Sequence, residues 1–173
     1  KNPDGSYNST YHPEIINQGG SWQQDINEQW QYKMSDGTIL SNTWIADGKA
    51  WYRTDMDGRL INGWFLDSNG KWYMLDKRQE TLGACLYGWY FEEQDQKWYF
   101  LDVENGHMLT GWQFIDGKWY YFTEHNNGQT YFGDNETGWV FRQDVNNRPY
   151  GSMFSNETTP DGYWVEKSGQ WIR

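Results

Sequence analysis

The stretch Thr110 to Phe122, TGWQFIDGKWYYF, decides how this chain folds. Two short aromatic runs, one opening at Gly111-Trp112 and the other at Trp119-Tyr120, flank Asp116-Gly117. An Asp-Gly pair between such runs closes a two-residue hairpin, because both central residues must reach positive φ and these types tolerate it. The segment therefore reads as one β-hairpin carrying a Trp on each strand.

The same arrangement recurs along the chain. Trp22, Trp44, Trp64, Trp89, Trp112 and Trp139 each open a unit, at spacings of 20 to 27 residues. A second Trp follows seven to nine positions later as Trp30, Trp51, Trp72, Trp98 and Trp119, and Asp47-Gly48 and Asn69-Gly70 give further turn signals. After the second strand comes a glycine with an apolar residue two positions on: Gly37/Ile39, Gly58/Leu60, Gly83/Cys85 and Gly106/Met108. That register places Cys85 as a small buried hydrophobe rather than a reactive thiol.

Composition fits an array of this kind. The 173 residues include thirteen Trp, thirteen Tyr and eight Phe but four Val and three Ala, so apolar surface comes in large flat pieces. A lone hairpin is marginal in water, so each unit must bury its rings against its neighbours. The expected fold is an all-β solenoid of short β-hairpin repeats with atypical terminal caps. Residues 1–20 read as an N-terminal leader or cap, 21–142 as five to six hairpin repeats and 143–173 as a C-terminal capping repeat, all in one solenoid domain. In that last stretch Pro149-Tyr150 stands where Trp-Tyr is expected, followed by Gly151, Met153 and a Pro160-Asp161-Gly162 turn. The longer stretches Asp76 to Tyr87 and Thr123 to Thr137 read as surface loops.

A net charge of −10 argues against nucleic acid and against an anionic membrane surface, and favours a cationic or neutral partner. No run is long and apolar enough for membrane insertion. One cysteine gives neither an internal disulfide framework nor a four-cysteine zinc site. His12, His107 and His125 are scattered, Glu92, Glu93 and Asp95 fall in one turn, and Asp55 and Asp57 in another. Asp134, Asn135 and Glu136 lack the alternating ligands of a calcium loop. No catalytic residue, metal ligand or cofactor site is expected.

The recurring motif resembles the choline-binding, or cell-wall-binding, repeat, and is close to the glucan-binding repeats of secreted glucosyltransferases. The resemblance covers about residues 21–142, with Gly106-His107-Met108 supplying the glycine and methionine that precede TGWQFIDGKWYYF. It implies a ligand site between successive hairpins, built from the Trp of each strand, the third aromatic of the next Trp-Tyr-aromatic triplet and the methionine as floor. Carried over by position, Trp89, Trp98, Met108 and Tyr121 fill every role. Trp64, Trp72 and Phe100 form a second site, with Cys85 in place of the methionine. Trp112 and Trp119 lack a following triplet, and Tyr150 is the nearby aromatic. Trp44 and Trp51 meet Met74, and Trp22 and Trp30 meet Arg53, so neither notch is expected to take choline.

The ligand chemistry follows from the side chains. A quaternary ammonium cannot donate a hydrogen bond and is recognised by the negative faces of electron-rich rings. The expected partner is choline-bearing teichoic or lipoteichoic acid at a bacterial surface, for a secreted protein. Surface glycan is the rival, stacked on the same rings with Gln113, Asn69 and Gln96 at hand. A structural spacer, with every ring serving the core, is the third reading. An open-ended solenoid can also dimerise through a terminal hairpin.

Overall fold

The computed structural model describes residues 19–48, 50–124 and 148–173, together with the backbone of strands 130–134 and 139–143. Of the expected leader or cap at 1–20, residues 1–18 lie outside the described residues, and Gly20 opens the first strand. Strands pair two by two into antiparallel hairpins: β1 Gly20–Gln24 with β2 Trp30–Met34, β3 Trp44–Asp47 with β4 Ala50–Arg53, and β5 Gly63–Leu66 with β6 Trp72–Leu75. Then come β7 Gly88–Glu92 with β8 Lys97–Leu101, β9 Gly111–Ile115 with β10 Lys118–Phe122, β11 Thr130–Asp134 with β12 Trp139–Gln143, and β13 Glu157–Thr158 with β14 Trp164–Val165. Among the described residues no helix is long and apolar enough to cross a membrane.

Turn chemistry sets each register. Asp116 and Gly117 both have positive φ, 50° and 80°, so Ile115 pairs with Lys118 across a two-residue loop as the sequence predicts. The other two turn signals close differently. Asp47 pairs with Ala50, so the loop begins at Gly48, and Leu66 pairs with Trp72 across a five-residue loop in which Asp67 accepts the Gly70 amide. Trp139 lies on the second strand of its hairpin and does not open a unit, and β11 occupies part of the expected loop at 123–137.

Each hairpin other than β11–β12 is followed by a short return segment that bridges its second strand or the residue just after it. The bridges are Lys33 with Ile39, Thr54 with Leu60, Leu75 with Cys85, Leu101 with Met108, Phe122 with Met153, and Val165 with Trp171. The β9–β10 hairpin thus takes its return segment from Gly151-Ser152-Met153, beyond the inserted β11–β12 hairpin. This insertion is why the sequence loses its period after Phe122.

The return segments also stitch unit to unit. The amides of Leu60, Cys85, Met108, Met153 and Trp171 donate to the carbonyls of Trp30, Trp51, Trp72, Trp98 and Trp119, each the second Trp of the preceding hairpin, at 2.7 to 2.9 Å. Each return glycine lies on the apolar residue of the segment before it. A Cβ on Gly83, where φ is +83°, would come within 2.6 Å of Leu60, and one on Gly106 within 2.8 Å of the Cys85 sulfur. A buried aromatic removes about 150–250 Å² from water, roughly 4–6 kcal/mol gross by area. Rings at each junction therefore supply the burial that an isolated hairpin lacks.

Candidate functional site

Strand alternation decides which rings meet between hairpins. Successive side chains point to opposite faces, so the Tyr after each second-strand Trp points back at the preceding unit. Trp22 meets Tyr52 with ring centroids 5.2 Å apart, Trp44 meets Tyr73 at 5.0 Å, Trp64 meets Tyr99 at 5.1 Å and Trp89 meets Tyr120 at 4.9 Å. In the last unit Trp112 meets Tyr163 at 6.0 Å. All five contacts are edge-to-face.

Every junction thus holds a Trp pair, a Tyr from the next hairpin and a floor from the next return segment. The second Trp shows which notches are open. Trp30, Trp98 and Trp119 are 37, 43 and 42% exposed, whereas Trp51 and Trp72 are 2 and 9% exposed. Trp51 is buried with Trp44, Tyr73 and Cys85, against which Phe65 and Tyr87 pack. Trp72 is buried with Trp64, Met74, Tyr99 and Leu101, against which Leu86, Tyr90, Met108 and Tyr150 pack.

Each of these three exposed Trp lines an open cavity. That at Trp98, about 430 Å³, is lined by Trp89, Trp98, Tyr120, Met153, Lys167, Ser168 and Gln170. Trp89 and Trp98 are perpendicular, with an interplanar angle of 90° at 6.1 Å. The second cavity, about 390 Å³, lies between Trp112, Trp119, Tyr163 and Trp171 beside Asp161. Asp161 accepts the Trp112 indole N–H at 2.9 Å and the Thr159 hydroxyl at 2.6 Å, and these bonds hold its carboxyl below the usual range. The third, about 250 Å³, is lined by Trp22, Trp30, Tyr52 and Leu60, with Gln79, Glu80, Thr81 and Leu82 along its rim.

The segment entering the return glycine of the unit after next supplies the rim of the Trp22 and Trp89 notches. Gln79 to Leu82 precede Gly83 and reach back to the Trp22 notch, while Lys167 and Ser168 precede Gly169 and reach the Trp89 notch. The loop behind the first rim is organised by buried Asp76. Burial pushes its carboxyl up, but hydrogen bonds from Arg78 and Thr81 outweigh that and hold its pKa below the usual range.

Several sequence expectations change. Trp89 and Trp98 share a notch, but Met108 and Tyr121 do not line it. Met108 bonds the preceding notch through the Trp72 carbonyl, and Tyr121 packs in a buried cluster with Phe154 and Val165. Met153 and Tyr120 hold the two roles instead. Trp64 and Trp72 pair with Tyr99, while Phe100 lies on the other face of β8 against Trp89. Cys85 floors the Trp44 notch through the Trp51 carbonyl. The physical cause is the double bonding of each return segment, which places the floor one unit later than sequence order suggests.

Arg53 does not enter the Trp22 notch. It is buried at the end of β4, donating to Asn42 at 3.0 Å, 3.8 Å from Asp67 and over the Phe65 ring at 5.1 Å. Met74 is buried in the Trp64 cluster, away from Trp44 and Trp51. Trp112 and Trp119 gain Tyr163 and Trp171, while Tyr150 packs on the Trp64 cluster. The Trp-Tyr pairs themselves carried the signal for Tyr52 and Tyr120, since alternation sends the second ring to the opposite face.

The polar side chains considered for sugar are engaged locally. Asn69 donates to the Tyr73 hydroxyl, Gln96 to the Glu93 carbonyl and Gln113 to the Thr110 carbonyl. Buried Glu92 accepts from the Trp64 indole, Tyr90 and Lys77. His107 sits in a return segment bridging Tyr73, and burial lowers its pKa; His12 and His125 lie outside the described residues. Among the described residues no group of three His, Cys, Asp or Glu could hold a metal.

Residues 62–76 and 110–124, the β5–β6 and β9–β10 hairpins, match the family model described as "Putative cell wall binding repeat". Choline binding protein F from Streptococcus pneumoniae is 30% identical with a TM-score of 0.54, over 89% of this chain and 48% of that one. A pneumococcal cell wall endolysin from phage Cp-1, solved complexed with choline, is 28% identical with a TM-score of 0.51, over 85% and 41%. Glucosyltransferase-S of Streptococcus mutans is 34% identical over 102 residues, 57% of this chain and 6% of that protein. The chain thus spans about half of the solved relatives and a small fraction of the glucosyltransferase. Its matched hairpins, its stitched hairpin array and these likenesses agree: the chain carries repeats that match the cell wall binding type and resembles the proteins built from them.

Proposed function

We propose that this chain is a non-catalytic binding module that holds a secreted protein at a bacterial surface by taking choline of teichoic or lipoteichoic acid into its open notches. The observation that carries the reading is the Trp89 notch. Trp98 stands at 90° to Trp89 and Tyr120 at 76°, so three ring faces form a concave corner over Met153. A trimethylammonium group is nearly spherical and touches several such faces at once, each worth about 0.5–2 kcal/mol. A flat sugar ring stacks on one plane. The acidic chain and Asp161 beside the Trp112 notch favour a cation further.

A thermal melt with choline chloride, against sodium chloride at equal ionic strength, tests it. Ligand that binds only the folded state stabilises it, by about 2.7 kcal/mol per site at one hundred times Kd, and so raises the midpoint. A choline-specific rise is expected; identical melts would overturn the reading.

Glycan is the second reading, and the Trp22 notch favours it. Its rim of Gln79, Glu80 and Thr81 offers hydrogen-bonding groups beside exposed rings, and the glucosyltransferase relatives are consistent with it. Glucan oligosaccharides that shift the Trp30 indole signal would support this for that notch, and silence would remove it.

A further inference from the structure

The parts of the open Trp89 notch are repeated one unit earlier in the same register. Trp64 stands 5.1 Å from Tyr99 as Trp89 stands 4.9 Å from Tyr120. The Met108 amide reaches the Trp72 carbonyl at 2.7 Å as the Met153 amide reaches that of Trp98 at 2.8 Å. The backbone frame and the ring set are those of an open notch, yet Trp72 is buried where Trp98 is exposed.

The residue at the rim differs between the two notches. Directly before the return glycine, the open Trp89 notch carries Ser168 ahead of Gly169 and the open Trp22 notch Leu82 ahead of Gly83, and both residues line their cavities. The corresponding residue at the Trp64 notch is Tyr150, ahead of Gly151. Gly151 lies directly on the Met108 side chain, the floor of this notch, and Tyr150 packs against the Trp64, Trp72 and Tyr99 cluster. The segment is fixed on both sides. The Ser152 amide donates to the Pro149 carbonyl at 2.9 Å, and Arg148 pairs with Glu157 while lying 4.0 Å over the Phe154 ring.

We propose that the Trp64, Trp72, Tyr99 and Met108 notch is a fourth site for the same class of ligand, shut by the chain's own Tyr150 ring. The inference rests on the notch reading above and adds a competitor within the protein. A tethered ring competes at high effective concentration, so a weakly held ligand fills this notch only after Tyr150 leaves, and its apparent affinity falls by the fraction of time the notch stands open.

Indole N–H signals in a choline titration test this, with Trp72 and Trp98 assigned through Trp72→Phe and Trp98→Phe. In the unaltered chain Trp98 is expected to shift saturably while Trp72 responds at no less than about tenfold higher choline. In Tyr150→Ser, which copies the Ser168 rim, Trp72 should titrate alongside Trp98; Tyr150→Ala provides a second opening, and Tyr150→Phe keeps the notch shut. The Trp98 response reports that each variant is folded. A Trp72 signal unmoved in both opened variants while Trp98 titrates would overturn the fourth site alone. Silence at both indoles in every variant would overturn the notch reading and this inference with it.

Discussion

Tyr120 stands edge-on to Trp89 of the preceding hairpin, with ring centroids 4.9 Å apart. Its chain neighbour Tyr121 turns the other way and packs at 5.2 Å against Trp112 of its own hairpin. Both rings are buried, so replacing either by Ala should cost stability, but only Tyr120 borders the Trp89 notch and should change binding there. Tyr120→Ala removes one ring face and is expected to weaken choline at that notch by about 2- to 30-fold, from roughly 0.5–2 kcal/mol per ring. Tyr121→Ala empties a buried position and should cost about 3 kcal/mol or more in a denaturant titration, with little change in the Trp98 response to choline.

Asp161 borders the Trp112 notch and holds its indole N–H. Asp161→Asn keeps an acceptor and removes the charge. Choline binding sensed at Trp119 should weaken by about 1.5- to 5-fold, the range for an exposed charge pair. A neutral choline isostere, 3,3-dimethylbutan-1-ol, should bind both forms equally. Equal losses for both ligands would assign Asp161 a geometric role.

Asp95 is predicted to shape the pH dependence of stability. Burial, opposed by hydrogen bonds from Tyr99 and the Lys97 amide, pushes its carboxyl up to about 6. The folded state then holds a proton that the unfolded chain releases near 4, so this contribution is complete below about pH 4 and is lost as pH rises through about 6. Asp95→Asn does not ionise. Its melting temperature relative to the unaltered chain should rise between pH 4 and 6.5, measured by scanning calorimetry; a constant difference would contradict the assignment.

Cys85 lies fully buried beneath the Gly106 turn, and burial pushes its thiol up to about 12. The native protein should resist iodoacetamide at pH 8 and react at one thiol when unfolded, as mass spectrometry would show. Fast labelling of the folded chain would mean that this segment opens locally.

The sequence by itself determined the repeated hairpins up to Phe122, though not the inserted β11–β12 hairpin, because turn residues and aromatic spacing act within about a dozen positions. Asp116-Gly117 closes its loop as its φ requirements demand, and the Trp pairs and the burial of Cys85 follow from local register. Which residues share a notch was decided only by the tertiary structure. Each return segment bonds to its own hairpin and to the one before it, so Met153 floors the Trp89 notch across an inserted hairpin that sequence spacing does not bridge. The rim, too, comes from a segment two units away that local spacing does not reveal: Ser168 borders the open Trp89 notch, and Tyr150 packs on the buried Trp64 cluster.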